Sequence, residues 1–135
     1  MNFMNTNQAI YQLAENRQFS DWWFSMRQAV TKKCLLACKP KDHRKWEILD
    51  IGAGYGSNVP VLSLLGSVDG IEPQKLMHEN LKKLGVKRIL ECDNFPLTFP
   101  TARYDCVTLF DVLEHIENDK EALKVIHNNL LNPIG

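Results

Sequence analysis

The sequence predicts an α/β fold in which short parallel strands alternate with helices, and three observations carry that prediction. The apolar run Ile48-Leu49-Asp50-Ile51 breaks into glycines at every second position, Gly52-Ala53-Gly54-Tyr55-Gly56. This reads as a buried strand running into a tight turn with exposed backbone amides. From there to the end of the chain, apolar strand-like segments alternate with segments of helical period, the pattern of repeated strand–helix–strand units. An acid, Glu72, stands 20 residues beyond Gly52 at the end of the second strand-like segment, where a nucleotide-binding strand–turn–helix unit sets a carboxylate.

Length and charge bound what such a fold can do. At 135 residues the chain is one domain's worth, enough for a real core but short for a complete α/β enzyme. Its 16 basic and 16 acidic residues cancel, which removes any broad electrostatic case for nucleic acid or an acidic membrane surface and favours a small-molecule substrate. Residues 1–8 have neither the basic region nor the apolar region of a signal peptide, and no apolar run reaches membrane-spanning length, so the reading is cytoplasmic. Cys34 and Cys38 lie four apart on a predicted helix, and Cys92 and Cys106 fall near strands. No Cys-x-x-Cys pair occurs and His43, His78, His115 and His127 do not join the cysteines at zinc-ligand spacing, which points to buried free thiols and no metal site.

In chain order, residues 5–39 read as helix in two pieces meeting near Phe19-Ser20. In the second piece Trp23, Met26, Val30, Cys34 and Ala37 recur at helical spacing, so this helix is expected to pack on something. A basic connector over residues 40–46 separates residues 1–46, a helical cap with its connector, from residues 47–135, the ligand-binding domain. Glycines in the turn are expected where φ is positive or where a Cβ would hold the main chain away from a ligand. A dinucleotide fingerprint needs glycine at the first, third and sixth positions; here Ser57 is sixth and Gly56 fifth, so the match is to Gly-x-Gly-x-Gly.

Ser57 or Asn58 can cap the next helix, in which Pro60 is tolerated in the first turn, running to a Gly66 stop. The second strand covers residues 67–73 and ends in Glu72, whose two acceptor oxygens suit a pair of adjacent hydroxyls. Pro73 opens an amphipathic helix with Leu76, Met77, Leu81 and Leu84 inward and Gly85 as its C-terminal cap. Residues 86–92 and 104–110 read as the third and fourth strands, and a last helix opens at Asn118 with Ala122, Leu123, Ile126 and Leu130 inward.

The Gly-x-Gly-x-Gly turn preceded by Leu49-Asp50 resembles motif I of the class I S-adenosylmethionine-dependent methyltransferases. Asp93-Asn94-Phe95-Pro96-Leu97 and Tyr104-Asp105 resemble that family's acid after strand three, its Leu-Pro-Phe-like loop and its Phe-Asp at strand four. Asp111-Val112-Leu113-Glu114-His115 is similar to the subgroup often called type 11, and Trp22-Trp23-Phe24 with Arg27 to an N-terminal cap found in one branch. The resemblance covers about residues 20–135 with the motifs in order.

It implies a Rossmann-like three-layer sandwich with parallel strands in the order 3-2-1-4, an N-terminal helical cap and the C-terminal strands missing. The implied cofactor is S-adenosylmethionine, leaving as S-adenosylhomocysteine. Gly52, Ala53, Gly54, Tyr55 and Gly56 would hold its methionine end, with Asp50 on the amino group. Glu72 and the adjoining Pro73 would meet the ribose, and Asp93, Asn94 and Phe95 the adenine. Asp111 and His115 would lie where methyl and acceptor meet, His115 either as general base or as a loop-fixing hydrogen-bonding residue. The implied reaction is methyl transfer to an O, N or C nucleophile of a small acceptor. The missing strands leave strand four as an exposed edge for a second copy or a partner, and open the alternative of a non-catalytic cofactor-binding module.

Overall fold

The computed structural model describes residues 22–39, 41, 44–91 and 103–133. The chain divides into two compact units, Asn2–His43 and Arg44–Gly135. In the smaller unit the second helical piece is present as α1, Trp22–Cys38, and the first lies outside the described residues. None of α1 is buried: Trp23, Met26 and Val30, expected to face inward, are 58%, 58% and 57% exposed. The partly covered stripe is instead Phe24, Arg27, Gln28, Thr31 and Leu35, about one residue step around the helix. Apolar residues lie on both stripes, so period alone selected the wrong one.

The larger unit carries β1 (Trp46–Ile51), α2 (Val59–Ser63), β2 (Gly66–Ile71), α3 (Lys75–Lys83), β3 (Arg88–Leu90), β4 (Cys106–Thr108), a 3-10 turn (Leu113–His115) and α4 (Asp119–Asn129). The four strands form one parallel sheet in the order β3-β2-β1-β4. Parallel strands are covered on both faces, which is why β1 is a near-continuous apolar run, buried at every position except Glu47. Register sorts the two faces. Asp50, Gly70, Ile89 and Thr108 share one, on which Ala53, Val59, Leu81 and Val86 form a core with α2 and α3. Leu49, Ile51 and Ile71 share the other, packed with Tyr104, Val112, Ile126 and Leu130 under α4.

Several expected details shift. Gly66 opens β2 instead of closing α2: a Cβ there would collide with the backbone of Trp46, so glycine is required by the close approach of β1 and β2. Gly85 is the opposite case. Its φ is 93° and a Cβ would meet no atom, so the left-handed helix cap alone requires it. The helix expected from Pro73 begins at Lys75, and Leu76 is 53% exposed while Met77 and Leu81 are buried. Likewise Leu123 in α4 is 44% exposed while Ala122, Ile126 and Leu130 are buried. Adjacent apolar residues are about 100° apart on a helix, so one of each pair must turn outward. The exposed-thiol state of Cys34 and Cys38 also departs from the expected burial, and follows from the exposure of α1.

The outer edge of β4 is not wholly bare. The segment returning from α4 forms a parallel bridge between Leu131 and Tyr104, with Tyr104 N–H donating to Leu130 O (2.7 Å) and Asn132 N–H to Tyr104 O (2.8 Å). Asp105 clamps the same end of the sheet: Arg44 donates to it twice, at 2.9 and 3.0 Å, and Glu47 N–H and the Asn132 amide donate as well.

Candidate functional site

The site is assembled at the carboxyl ends of β1, β2 and β4, the end of an open parallel sheet where ligand crevices form. After β1 the chain turns through three left-handed glycines, Gly52 (φ 73°), Gly54 (φ 55°) and Gly56 (φ 83°). Gly52 and Ala53 N–H both donate to Ile71 O, at 2.8 and 3.1 Å, which ties the turn to the end of β2.

The three glycines do different work. A Cβ on Gly52 would overlap Val112 Cγ2, and one on Gly56 would lie 2.6 Å from Leu84 Cδ1 and 3.0 Å from Leu81 Cδ2. Those two positions admit core side chains from the loop after β4 and from α3 with its C-terminal cap residue. Among the described residues a Cβ on Gly54 would meet only Gly52 O, at 4.0 Å, so of the three it is the position with an open side. Ala53 and Tyr55 turn their side chains into the protein, each 6% exposed, leaving backbone as their contribution. The Asn80 amide donates to Tyr55 O over 2.7 Å and holds that part of the turn from α3.

Glu72, at the end of β2, is buried and braces the turn. One carboxylate oxygen accepts from Gly54 N–H and the other from Gln74 N–H, both at 2.8 Å. Each oxygen keeps a further lone pair for a hydroxyl donor. Burial pushes the carboxyl above its ordinary value, opposed by the Gln74 and Gly54 amides and by His78. His78 Nε2 lies 2.6 Å from Glu72 O. The adjoining Pro73 is exposed.

Asp50 is the most constrained acid of the group, 1% exposed. Its Oδ1 accepts the Thr108 hydroxyl at 2.7 Å, whereas its buried Oδ2 makes no hydrogen bond among the described residues. Burial pushes its carboxyl up to about 7, against the Thr108 hydrogen bond and with the nearby Glu72 carboxylate adding to the rise. A buried acceptor without a donor is costly, and a cation beside it would repay that cost.

The loop after β4 carries Asp111 and His115, both exposed. Asp111 adopts φ 56°, alone among described non-glycine residues in the left-handed region, and the next residue, Val112, is the buried side chain that fills the space over Gly52. That contact brings the loop against the turn. His115 N–H donates to Val112 O at 3.0 Å, but the imidazole makes no hydrogen bond among the described residues. Asp93, Asn94 and Phe95 lie outside the described residues.

Sequence reading missed Thr108, Asn80 and Val112. Thr108 had a signal, a hydroxyl at the end of an apolar strand facing the acid of its neighbour, but the β1–β4 register that pairs it with Asp50 was needed to use it. Among the described residues no group of three or more His, Cys, Asp or Glu could hold a metal ion, and no helix is long and apolar enough to cross a membrane.

A family model described as a methyltransferase domain matches residues 49–133. Among solved structures, S-adenosylmethionine-bound CalS10, an amino pentose methyltransferase from Micromonospora echinaspora, is 17% identical with a TM-score of 0.65, over 98% of this chain and 59% of its own. A TehB-like S-adenosylmethionine-dependent methyltransferase from Corynebacterium glutamicum is 21% identical with a TM-score of 0.63, over 92% of this chain and 68% of its own. An S-adenosylmethionine-dependent methyltransferase from Thermotoga maritima is 22% identical with a TM-score of 0.58, over 92% and 56%. These likenesses establish a shared fold. The chain spans roughly half to two thirds of the length of the structures it matches. No curated protein matches it.

Proposed function

The chain belongs to the methyltransferase-domain family, and from that premise we propose that it binds S-adenosylmethionine along the residue 52–56 turn and donates the cofactor's methyl to an O, N or C nucleophile of a small acceptor. The observation that carries the reading is Asp50 Oδ2, a buried carboxylate oxygen that finds no donor among the described residues, two residues before a turn whose Gly54 meets no side chain among them. Those residues fit a ligand with an ammonium at one end and vicinal hydroxyls further along.

Each residue then has a task. Asp50 accepts the amino group of the cofactor, and the backbone of Gly54 lets it lie close to the chain. Glu72, already oriented by two backbone amides, accepts the ribose hydroxyls on its remaining lone pairs. Asp93 takes the adenine amino group, with Asn94 and Phe95 beside the ring. When bound, the cofactor supplies a methyl on a cationic sulfur, open to in-line attack. The protein's chief contribution is alignment, worth up to about 7–11 kcal/mol when the reacting atoms are held in place. Asp111 and His115 border the acceptor, and the His115 imidazole takes the acceptor's proton as a general base. The product is S-adenosylhomocysteine, the setting is cytoplasmic, and a second copy or a partner strand lies along β4 beyond Tyr104.

Calorimetric titration with S-adenosylhomocysteine, followed by incubation with methyl-labelled cofactor and a panel of small acceptors, tests the reading. Saturable binding with labelled product is expected. Absence of saturable binding would remove the cofactor assignment. Binding with no demethylated product would leave a non-catalytic cofactor-binding module.

A further inference from the structure

Thr108 has no part in the reading above, yet the sheet builds it into the site. In the parallel β1–β4 ladder Thr108 is the direct partner of Asp50, so both side chains stand on the same face. Both are buried, at 7% and 1% exposure. The hydroxyl lies 2.7 Å from Asp50 Oδ1 and 3.4 Å from Leu49 O, so its proton goes to the carboxylate when Asp50 is ionised. When Asp50 is protonated the same pair can reverse: the carboxyl donates to the hydroxyl oxygen, and the hydroxyl proton turns to Leu49 O. Either way one carboxyl oxygen is committed to the strand, and Oδ2 is left over.

We infer that Thr108 is a positioning residue of the cofactor site, whose hydroxyl fixes the Asp50 carboxylate with Oδ2 presented to the cofactor's ammonium. The inference rests on the cofactor reading proposed above. The other groups near Asp50 do not substitute for Thr108. Glu72 from β2 repels its charge, and His78 of α3 is engaged at Glu72 O. Helix α2 carries no titratable residue, and Asp111, Glu114 and His115 of the loop after β4 are exposed. Among the described residues Thr108 is therefore the hydrogen-bond donor that makes an ionised Asp50 tolerable, and a cationic ligand completes what it begins.

The consequence is a pH signature that a purely structural threonine would lack. A ligand cation requires Asp50 ionised, so affinity for S-adenosylhomocysteine is expected to fall as pH drops below about 7. Removing the hydroxyl in Thr108→Val moves the break upward by about one pH unit or more, the size of a lost hydrogen bond to a charged acceptor. Calorimetric titrations from pH 6 to 9 on the wild type, Thr108→Val and Thr108→Ser read this directly. The serine variant should restore the wild-type profile, and the valine variant should approach wild-type affinity only at high pH. In the ligand-free protein, the Asp50 carboxyl 13C shift, assigned by its loss in Asp50→Asn, should titrate higher in Thr108→Val. Thr108→Ala reads the same shift should valine not fold.

A wild-type break in Thr108→Val, or a pH-independent loss that serine fails to restore, overturns the positioning role while leaving the cofactor reading intact. A wild type that does not bind S-adenosylhomocysteine at any pH overturns both.

Discussion

The amide of Gly54 donates to Oε2 of Glu72 over 2.8 Å, so the acid at the end of β2 is also a brace for the turn after β1. Ligand contact and loop shape therefore share one side chain. Glu72→Ala should lower affinity for S-adenosylhomocysteine at least tenfold, about 1.4 kcal/mol. It should also destabilise the free protein by roughly 1–3 kcal/mol, because two amides lose a buried acceptor. Calorimetric binding and denaturant unfolding measure the two effects, and unchanged values in both would dismiss Glu72 from the site.

Asp93 should separate the two effects. As the proposed adenine residue it touches ligand, so Asp93→Ala is expected to weaken binding of S-adenosylhomocysteine by about tenfold or more. Wild-type affinity in that variant would move the adenine elsewhere.

Asp50 predicts an unusual pH dependence of stability. Its carboxyl is pushed from 3.8 up to about 7 by burial, so the folded state holds its proton more tightly than the unfolded chain does. The stability it contributes is fully present below about pH 4 and is lost as pH rises through about 7. Asparagine cannot ionise. Asp50→Asn should therefore melt higher than the wild type at pH 8, by less at pH 5, and close to it at or below pH 4, in differential scanning calorimetry without ligand. A difference independent of pH would mean that Asp50 does not titrate in this range.

Gly52 and Gly54 should respond differently to the same substitution. Alanine at Gly52 must displace Val112 in addition to adopting a left-handed φ, whereas alanine at Gly54 meets no side chain among the described residues and bears the left-handed cost, about 1–2 kcal/mol. Gly52→Ala is expected to be the more destabilising by 1 kcal/mol or more, roughly the scale of core overpacking. Val112→Ala in the same chain should recover part of that loss. Gly54→Ala should reduce ligand affinity more than stability. Urea unfolding of the single and double variants checks the coupling, and strict additivity between Gly52→Ala and Val112→Ala would contradict it.

Local composition determined a good deal by itself. The apolar run into alternating glycines, the strand–helix alternation and the acid 20 residues on are short-range features, and the β3-β2-β1-β4 order implied by the motifs is the order of the sheet. Helix faces were less legible: Leu76 and Leu123 are as apolar as the buried Met77 and Ile126, and only the surface they meet decides which side turns inward. The tertiary structure alone decided how the site is divided among its residues. Gly52 and Gly56 proved to be packing positions because Val112, Leu81 and Leu84 arrive from elsewhere in the chain, whereas Gly54, of the three, meets no side chain among the described residues. Thr108 became a partner of Asp50 only through strand register, since 58 residues separate the two in sequence and 2.7 Å in space. Burial and pairing of that kind depend on what the rest of the chain brings to a position, which no local pattern encodes.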